Sequence, residues 1–390
     1  MVANLCMLAA MMAAVVLCSF VASLIPGRPV PEVVFFVVAG VVLGPGCLGV
    51  VNATPGLDLV SRLGMGLLFL MAGYELDLRE LTCAMGRHAA LCWAVSFGAA
   101  LLLTPALGLG LDQTGVAAFS IALTTTAYGT LVPIMRDREL GGTSVGEVIE
   151  SYGAMGEILP VVAMSLLLSP SRSLGANVAV LVGFVAFCVF VASRGRWAAE
   201  MGSRLSRFLH ENAESSSQPT LRAVVALLCA LLAIAAVLDL DAVLAAFAAG
   251  FILRHVIPAE HGHRLMDKVE ALGNGLFIPI FFVYSGIGIE LAAVGEQPGL
   301  LVGFMALLLL IRALPLLASL ALSPETRTMP LGEKISASLY CTMALPLIVA
   351  LTEAAAACGA MGEQMASVLV CAGALTVLVI PIITSLSVRA

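Results

Sequence analysis

Two ionisable residues, Glu157 and Arg312, each stand deep in an apolar run of the 390-residue chain. Glu157 falls near the middle of "EVIESYGAMGEILPVVAMSLLL" (147–168), and Arg312 is the one basic residue far from the ends of the run 297–322. A charge at the centre of a bilayer costs about 2.5–3.5 kcal/mol on insertion scales, so such residues mark ion or proton routes by default. A carboxylate there can hold either a proton or a small cation. An arginine keeps its charge throughout and is the natural counter-charge. The competing reading, an ion pair that only ties two helices together, accounts for the charges but not for their surroundings.

Those surroundings contain two interrupted helices. "ALTTTAYGTLVPIM" (122–135) carries Thr125, Thr126, Gly129 and Pro133, and "SLYCTMALPLIVALTE" (338–353) carries Thr342 and Pro346. Proline removes a helix hydrogen bond and frees a carbonyl. Broken helices inside a membrane offer carbonyls to cations and positive helix ends to anions. Thr125, Thr126 and freed carbonyls would complete an oxygen shell of the kind hard monovalent cations take. Glu353 is a candidate second proton site, and Glu150 reads as an acid facing water near a helix end. Enzyme chemistry is not expected: HExxH is absent, and "GTSVG" (142–146) matches a nucleophile-elbow spacing without the preceding strand that motif needs. No cofactor, bound metal or nucleic-acid partner is expected beyond the transported ions themselves.

The elements that must position these residues are membrane helices. With 61% hydrophobic and 11% charged residues, the composition is far from that of a soluble domain, where about a quarter is charged. Period-2 alternation is absent, so the chain reads as an all-α polytopic membrane protein in contact with lipid. About thirteen transmembrane helices are predicted, at 4–24, 31–46, 59–76, 87–109, 115–135, 144–168, 176–193, 219–237, 241–256, 267–290, 297–322, 332–358 and 363–387. With an outside N-terminus and a cytoplasmic C-terminus, the basic residues fall on the inside, leaving only Arg62 and Arg172 outside and Arg312 within a span. The start, "MVANLCMLAAMMAAVVLCSF", lacks a basic n-region and reads as a retained first span.

The chain also repeats itself. "GMGLLFLMAGYELDL" (64–78) resembles "GNGLFIPIFFVYSGIGIEL" (273–291), and "VVAGVVLGP" (37–45) resembles "AFAAGFILR" (246–254). This gives a first six-helix repeat, 1–168, a linker helix, 176–193, a cytoplasmic loop, 194–218, and a second six-helix repeat, 219–390. The linker makes the copies inverted, an arrangement typical of secondary transporters. In the loop, Trp197, Met201, Leu205, Phe208 and Leu209 recur at helical spacing with arginines between them, which predicts a helix on the cytoplasmic surface. His255, His261 and His263 read as solvated loop histidines, and the ten cysteines as apolar packing residues.

"LGPGCLGV", "FLMAGYELDLREL", "ALTTTAYGTLVPIMRD", "FIPIFFVYSGIGIEL" and "TMALPLIVALTE", in this order along the chain, resemble the monovalent cation:proton antiporter-2 family. The resemblance implies a dimerising scaffold (helices within 1–76 and 219–290) and a mobile core (87–168 and 297–387) with the spans 115–135 and 332–358 as a crossed broken pair. It places Gly156-Glu157 where the family has Asp-Asp or Asn-Asp, Arg312 on the span of the family's intramembrane lysine or arginine, and Thr126 on its broken-helix threonine. The expected function is exchange of Na⁺ or K⁺ for protons across the cell membrane by an electroneutral homodimer. A sodium-coupled symporter of the same fold, and then a channel, are the alternatives. Some relatives carry a cytosolic gating domain, so regulation here would fall to a separate subunit.

Overall fold

The structure is a computed structural model that describes residues 2–25, 30–76, 82–168, 174–200, 219–257 and 259–387. Among these residues every regular element is a helix. Among the described residues ten helices are long and apolar enough to cross a membrane, and Glu32–Leu43 and Ala242–Val256 are shorter apolar ones. With the interrupted helix 144–167 they supply the thirteen spans that the apolar runs predict.

We label them α1 (Val2–Leu24), α2 (Glu32–Leu43), α3 (Pro55–Glu75), α4 (Ala84–Leu103), α5a (Gln113–Thr124), α5b (Tyr128–Asp137) and α6 (144–167). Then come α7 (Leu174–Glu200), α8 (Pro219–Val237), α9 (Ala242–Val256), α10 (259–287), α11 (298–322), α12a (Leu331–Tyr340), α12b (Leu345–Ala357) and α13 (Glu363–Ser387). Three helix starts illustrate side-chain capping. Asp112 accepts from Gly115 N at 2.7 Å, Thr143 from Gly146 N at 3.1 Å and Asp241 from Val243 N at 2.7 Å, each satisfying an otherwise orphaned first-turn donor. The turn after α4 ends at Gly108 with φ 65°, a left-handed position that glycine adopts without a Cβ clash.

Among the described residues three helices contain a wide π turn: Ile149–Gly153 in α6, Gly273–Phe277 in α10 and Leu309–Ala313 in α11. α7 runs unbroken from Leu174 to Glu200, so the first residues of the expected surface helix simply continue this span. The remainder, with Met201, Leu205, Phe208 and Leu209, and the side chain of Trp197, lie outside the described residues, as do the side chains of His261 and His263. His255 lies in the last turn of α9, its ring against Phe251 with centroids 4.2 Å apart, rather than in a loop.

The chain divides into two compact units. One comprises 1–54, 77–170 and 282–390, and the other 55–76 and 171–281. In the second unit α3 and α9 approach until main chains touch: a Cβ on Gly73 would run into the Phe247 carbonyl, and one on Gly250 into the Leu70 carbonyl. In the first unit α2 meets the end of α10 in the same manner, with Gly40 against the Val283 carbonyl and Gly286 against the Val37 carbonyl. Segments that resemble each other in sequence thus make matching glycine contacts, as two copies of one folding unit should.

The first unit holds every candidate residue named above. There α4 packs on α5a, α6 and α11, while α13 lies along α11, α12a and α12b. This encloses the two broken helices. Thr124, Thr125, Thr126, Cys341, Thr342, Met343 and Ala344 are all 0% exposed.

Candidate functional site

Both interruptions are short and buried, the first extended and the second a turn, and they cross. α5a stops at Thr124. Thr125 turns extended at φ −80° and ψ 152°, and α5b begins at Tyr128. α12a stops at Tyr340 and α12b starts at Leu345. Ala127 N donates to the Met343 carbonyl at 2.7 Å, and Thr126 Oγ1 donates to the Cys341 carbonyl at 2.5 Å, so each break supplies the partners that the other has lost. The prolines do not make the breaks. Pro133 lies well inside the range of α5b, and Pro346 sits in the first turn of α12b, where a missing N–H costs nothing.

A third helix closes the crossing. Thr126 N donates to the Gly156 carbonyl of α6 at 2.8 Å. That carbonyl would normally bond to the N–H four residues on, but that residue is Pro160, which has none. The sequence reading missed Pro160. Its signal was local: a proline one turn after the Gly-Glu pair leaves a carbonyl beside the acid looking for a donor.

Glu157 is 2% exposed. One carboxylate oxygen accepts from Gly129 N at 3.2 Å, at the second residue of α5b. A helix start presents unpaired N–H groups and a partial positive charge, and the Ala127 cap position of α5b supplies no side-chain bond. Glu157 therefore caps the second half of the broken helix from across the site. Such an anion at a helix N-terminus is stabilised by about 0.3–2 kcal/mol, depending on burial.

Arg312 is 0% exposed and lies in the wide turn of α11. Its bonds run to neutral oxygens. Nη2 donates to Thr126 Oγ1 at 2.8 Å and to the Tyr152 carbonyl at 3.1 Å, while Nε donates to Thr126 Oγ1 at 3.2 Å and to the Cys341 carbonyl at 3.4 Å. Tyr152 belongs to the wide turn of α6, so the two π turns face each other across this contact, and its hydroxyl is 2.8 Å from Ser319 Oγ. Wide turns of this sort are frequent at functional sites because they release or redirect backbone groups. Nη1 is buried without a hydrogen-bond partner.

These bonds separate the two threonines. A hydroxyl has one proton and two lone pairs. Thr126 gives its proton to Cys341 and both lone pairs to Arg312, so its capacity is full. Thr125 Oγ1 is buried with no partner and keeps its capacity. In the second break, Thr342 Oγ1 donates to Leu339 of its own helix at 2.6 Å. Glu353, on α12b, is exposed, and Glu150, on the wide turn of α6, is partly exposed, so neither joins Glu157 in the buried cluster. Among the described residues no group of three or more His, Cys, Asp or Glu side chains could hold a metal ion.

This architecture has known counterparts. The solved structure of the sodium proton antiporter MjNhaP1 from Methanocaldococcus jannaschii superposes with a TM-score of 0.69, covering 99% of this chain and 97% of that one at 16% identity, which shows the shared fold. The probable Na⁺/H⁺ antiporter GerT of Bacillus cereus is 25% identical over 281 residues, covering 68% of this chain and 70% of that protein. Cation/H⁺ antiporter 18 of Arabidopsis thaliana is 28% identical over 294 residues, 70% of this chain, but the chain spans only 36% of that protein's length. Residues 10–390 match the family described as "Sodium/hydrogen exchanger, transmembrane". The chain is a member of this transmembrane sodium/hydrogen exchanger family.

Proposed function

We propose that this protein exchanges a monovalent cation, Na⁺ or K⁺, for protons across the cell membrane by alternating access. The observation that carries the reading is Glu157: a carboxyl side chain, 2% exposed, at the mouth of a half-helix inside a buried cluster. A buried carboxyl is neutralised either by a proton or by a bound cation. A proton and a cation then compete for one place. An empty carboxylate is costly to bury and carry, so movement is confined to the loaded forms, which couples the two fluxes.

Thr125 Oγ1 and freed carbonyls near the break would supply further cation ligands. Thr126 and Arg312 hold the framework in place. One exchanging carboxylate and a permanently charged arginine make the cycle one proton for one cation, with no net charge moved. The outside N-terminus, the plasma-membrane location and the homodimer belong to the same reading and rest on the basic-residue pattern and the family resemblance. A relative from Bacillus cereus is named as a Na⁺/H⁺–K⁺ antiporter, which supports keeping both cations in view. The test is proton movement followed by a pH-sensitive dye in proteoliposomes of the purified protein, against a panel of chloride salts. Exchange with Na⁺ or K⁺ that collapses with a protonophore supports the reading. Conductive cation flux without proton movement would replace it with a channel.

A further inference from the structure

We infer that Gly156 is the seat of Arg312, and that the guanidinium occupies the space a side chain beside Glu157 would otherwise fill. A Cβ built on Gly156 would stand 2.5 Å from Thr126 Oγ1 and 2.9 Å from Thr126 Cβ, and would overlap Arg312 Nη2 outright. The three nearest atoms to that missing Cβ all belong to Arg312 and to the threonine that holds it. Gly262 faces the Tyr74 hydroxyl, and Gly40, Gly64, Gly73, Gly250 and Gly286 abut main-chain carbonyls of neighbouring helices. Those positions permit close helix packing, whereas Gly156 makes room for a charge.

The fit is constrained from several directions. Nη2 is fixed between Thr126 Oγ1 at 2.8 Å and the Tyr152 carbonyl at 3.1 Å, and Nε is held to Thr126 and Cys341. The guanidinium is planar and rigid, and at 0% exposure it has no solvent to retreat into. Thr126 cannot yield either, because its hydroxyl also joins the two breaks. Adding even one methyl at 156 must therefore displace the arginine or pull the crossing apart. Gly156 is a positioning residue. It acts on the cation site through Arg312, and positions 156 and 312 form one steric unit.

This inference rests on the exchange reading only for its transport arm. The experiment is a double-mutant cycle in the full-length protein with Gly156→Ala, Arg312→Ala and the pair, read by thermal midpoint in detergent and by exchange in proteoliposomes. Gly156→Ala alone should lower the midpoint by several degrees, reduce exchange efficiency at least tenfold and shift the apparent cation KM. With Arg312→Ala in place the space is vacant, so adding Gly156→Ala should change each readout by less than twofold or one degree. Gly156→Ala with Arg312→Lys, a slimmer cation, should recover exchange relative to Gly156→Ala alone. Equal damage from Gly156→Ala in both backgrounds, or no effect in the wild-type background, would overturn the inference. If the wild type exchanges nothing, the proposed function falls, while the thermal cycle still decides the seating.

Discussion

The two broken helices are both interrupted in mid-course but differ in backbone and in chemistry: the α5 break runs extended at Thr125, whereas the α12 break turns through Cys341 at φ −69° and ψ 0°. Each is cut by three or four residues, each cut is fully buried, and each lends hydrogen-bond partners to the other. The α5 break nevertheless gathers the charged groups: Glu157 caps its second half, and Arg312 grips its threonine. The α12 break contributes only carbonyl oxygens, and its own hydroxyl on Thr342 is turned back onto its helix. The chemistry thus sits on one side of the crossing, with Glu157 as its buried acid.

The sharpest way to break this contrast is Glu157→Gln. The amide keeps size and helix capping but cannot alternate between charged and protonated forms, so exchange should vanish while yield and detergent stability stay near wild type. Full exchange by the purified variant would move the site elsewhere. Next comes a matched pair of hydroxyl deletions. Thr126→Val takes from the buried guanidinium its shortest hydrogen bond and from the Cys341 carbonyl its hydroxyl donor, at about 1–3 kcal/mol, and should cost exchange at least tenfold. Thr342→Val removes a bond confined to its own helix and should stay within about threefold. Equal losses would mean the breaks share the work.

A smaller effect is expected for Thr125→Val, which removes an uncommitted hydroxyl. The apparent KM for the cation should rise several-fold with little change in maximal rate, as expected when a ground-state ligand is lost. The last comparison expects no effect at all. Clamping the membrane potential at different values in proteoliposomes should leave the exchange rate unchanged. A steep dependence would mean that a second proton travels, with Glu353 on the α12 side as its first candidate carrier.

Much of this was legible in the sequence, for reasons that also explain what was not. The spans show because apolar runs of helix length are bounded by charges, and α8 and α13 have the bounds the runs predict. The buried acid and arginine show because nothing else in a membrane helix resembles them. The positions of the breaks do not show, since Thr125–Ala127 leaves the helix to bond with Met343 more than 200 residues away, and no local pattern records that. The wide turns are silent as well: in a helix that is apolar all round, one extra residue per turn leaves the hydrophobic pattern unchanged. Gly156 reads in the sequence as a missing second acid. Its neighbour in space, Arg312, gives the reason for it, and that neighbour lies on another helix.

The bond from Ala127 N to the Met343 carbonyl also bears on how the site can move. Irregular chain is where one looks first for hinges, and its amides commonly exchange with solvent deuterium soon after mixing. Here the irregular chain is stitched across, and Thr126 N is tied to a third helix as well. Those two amides should rank with the slowest in the molecule, while the ends of the helices fray ahead of them. The place where the helices come apart is therefore where the unit is hardest to shear. Any displacement that delivers an ion must carry the crossing whole, and the joints that bend must be sought away from it.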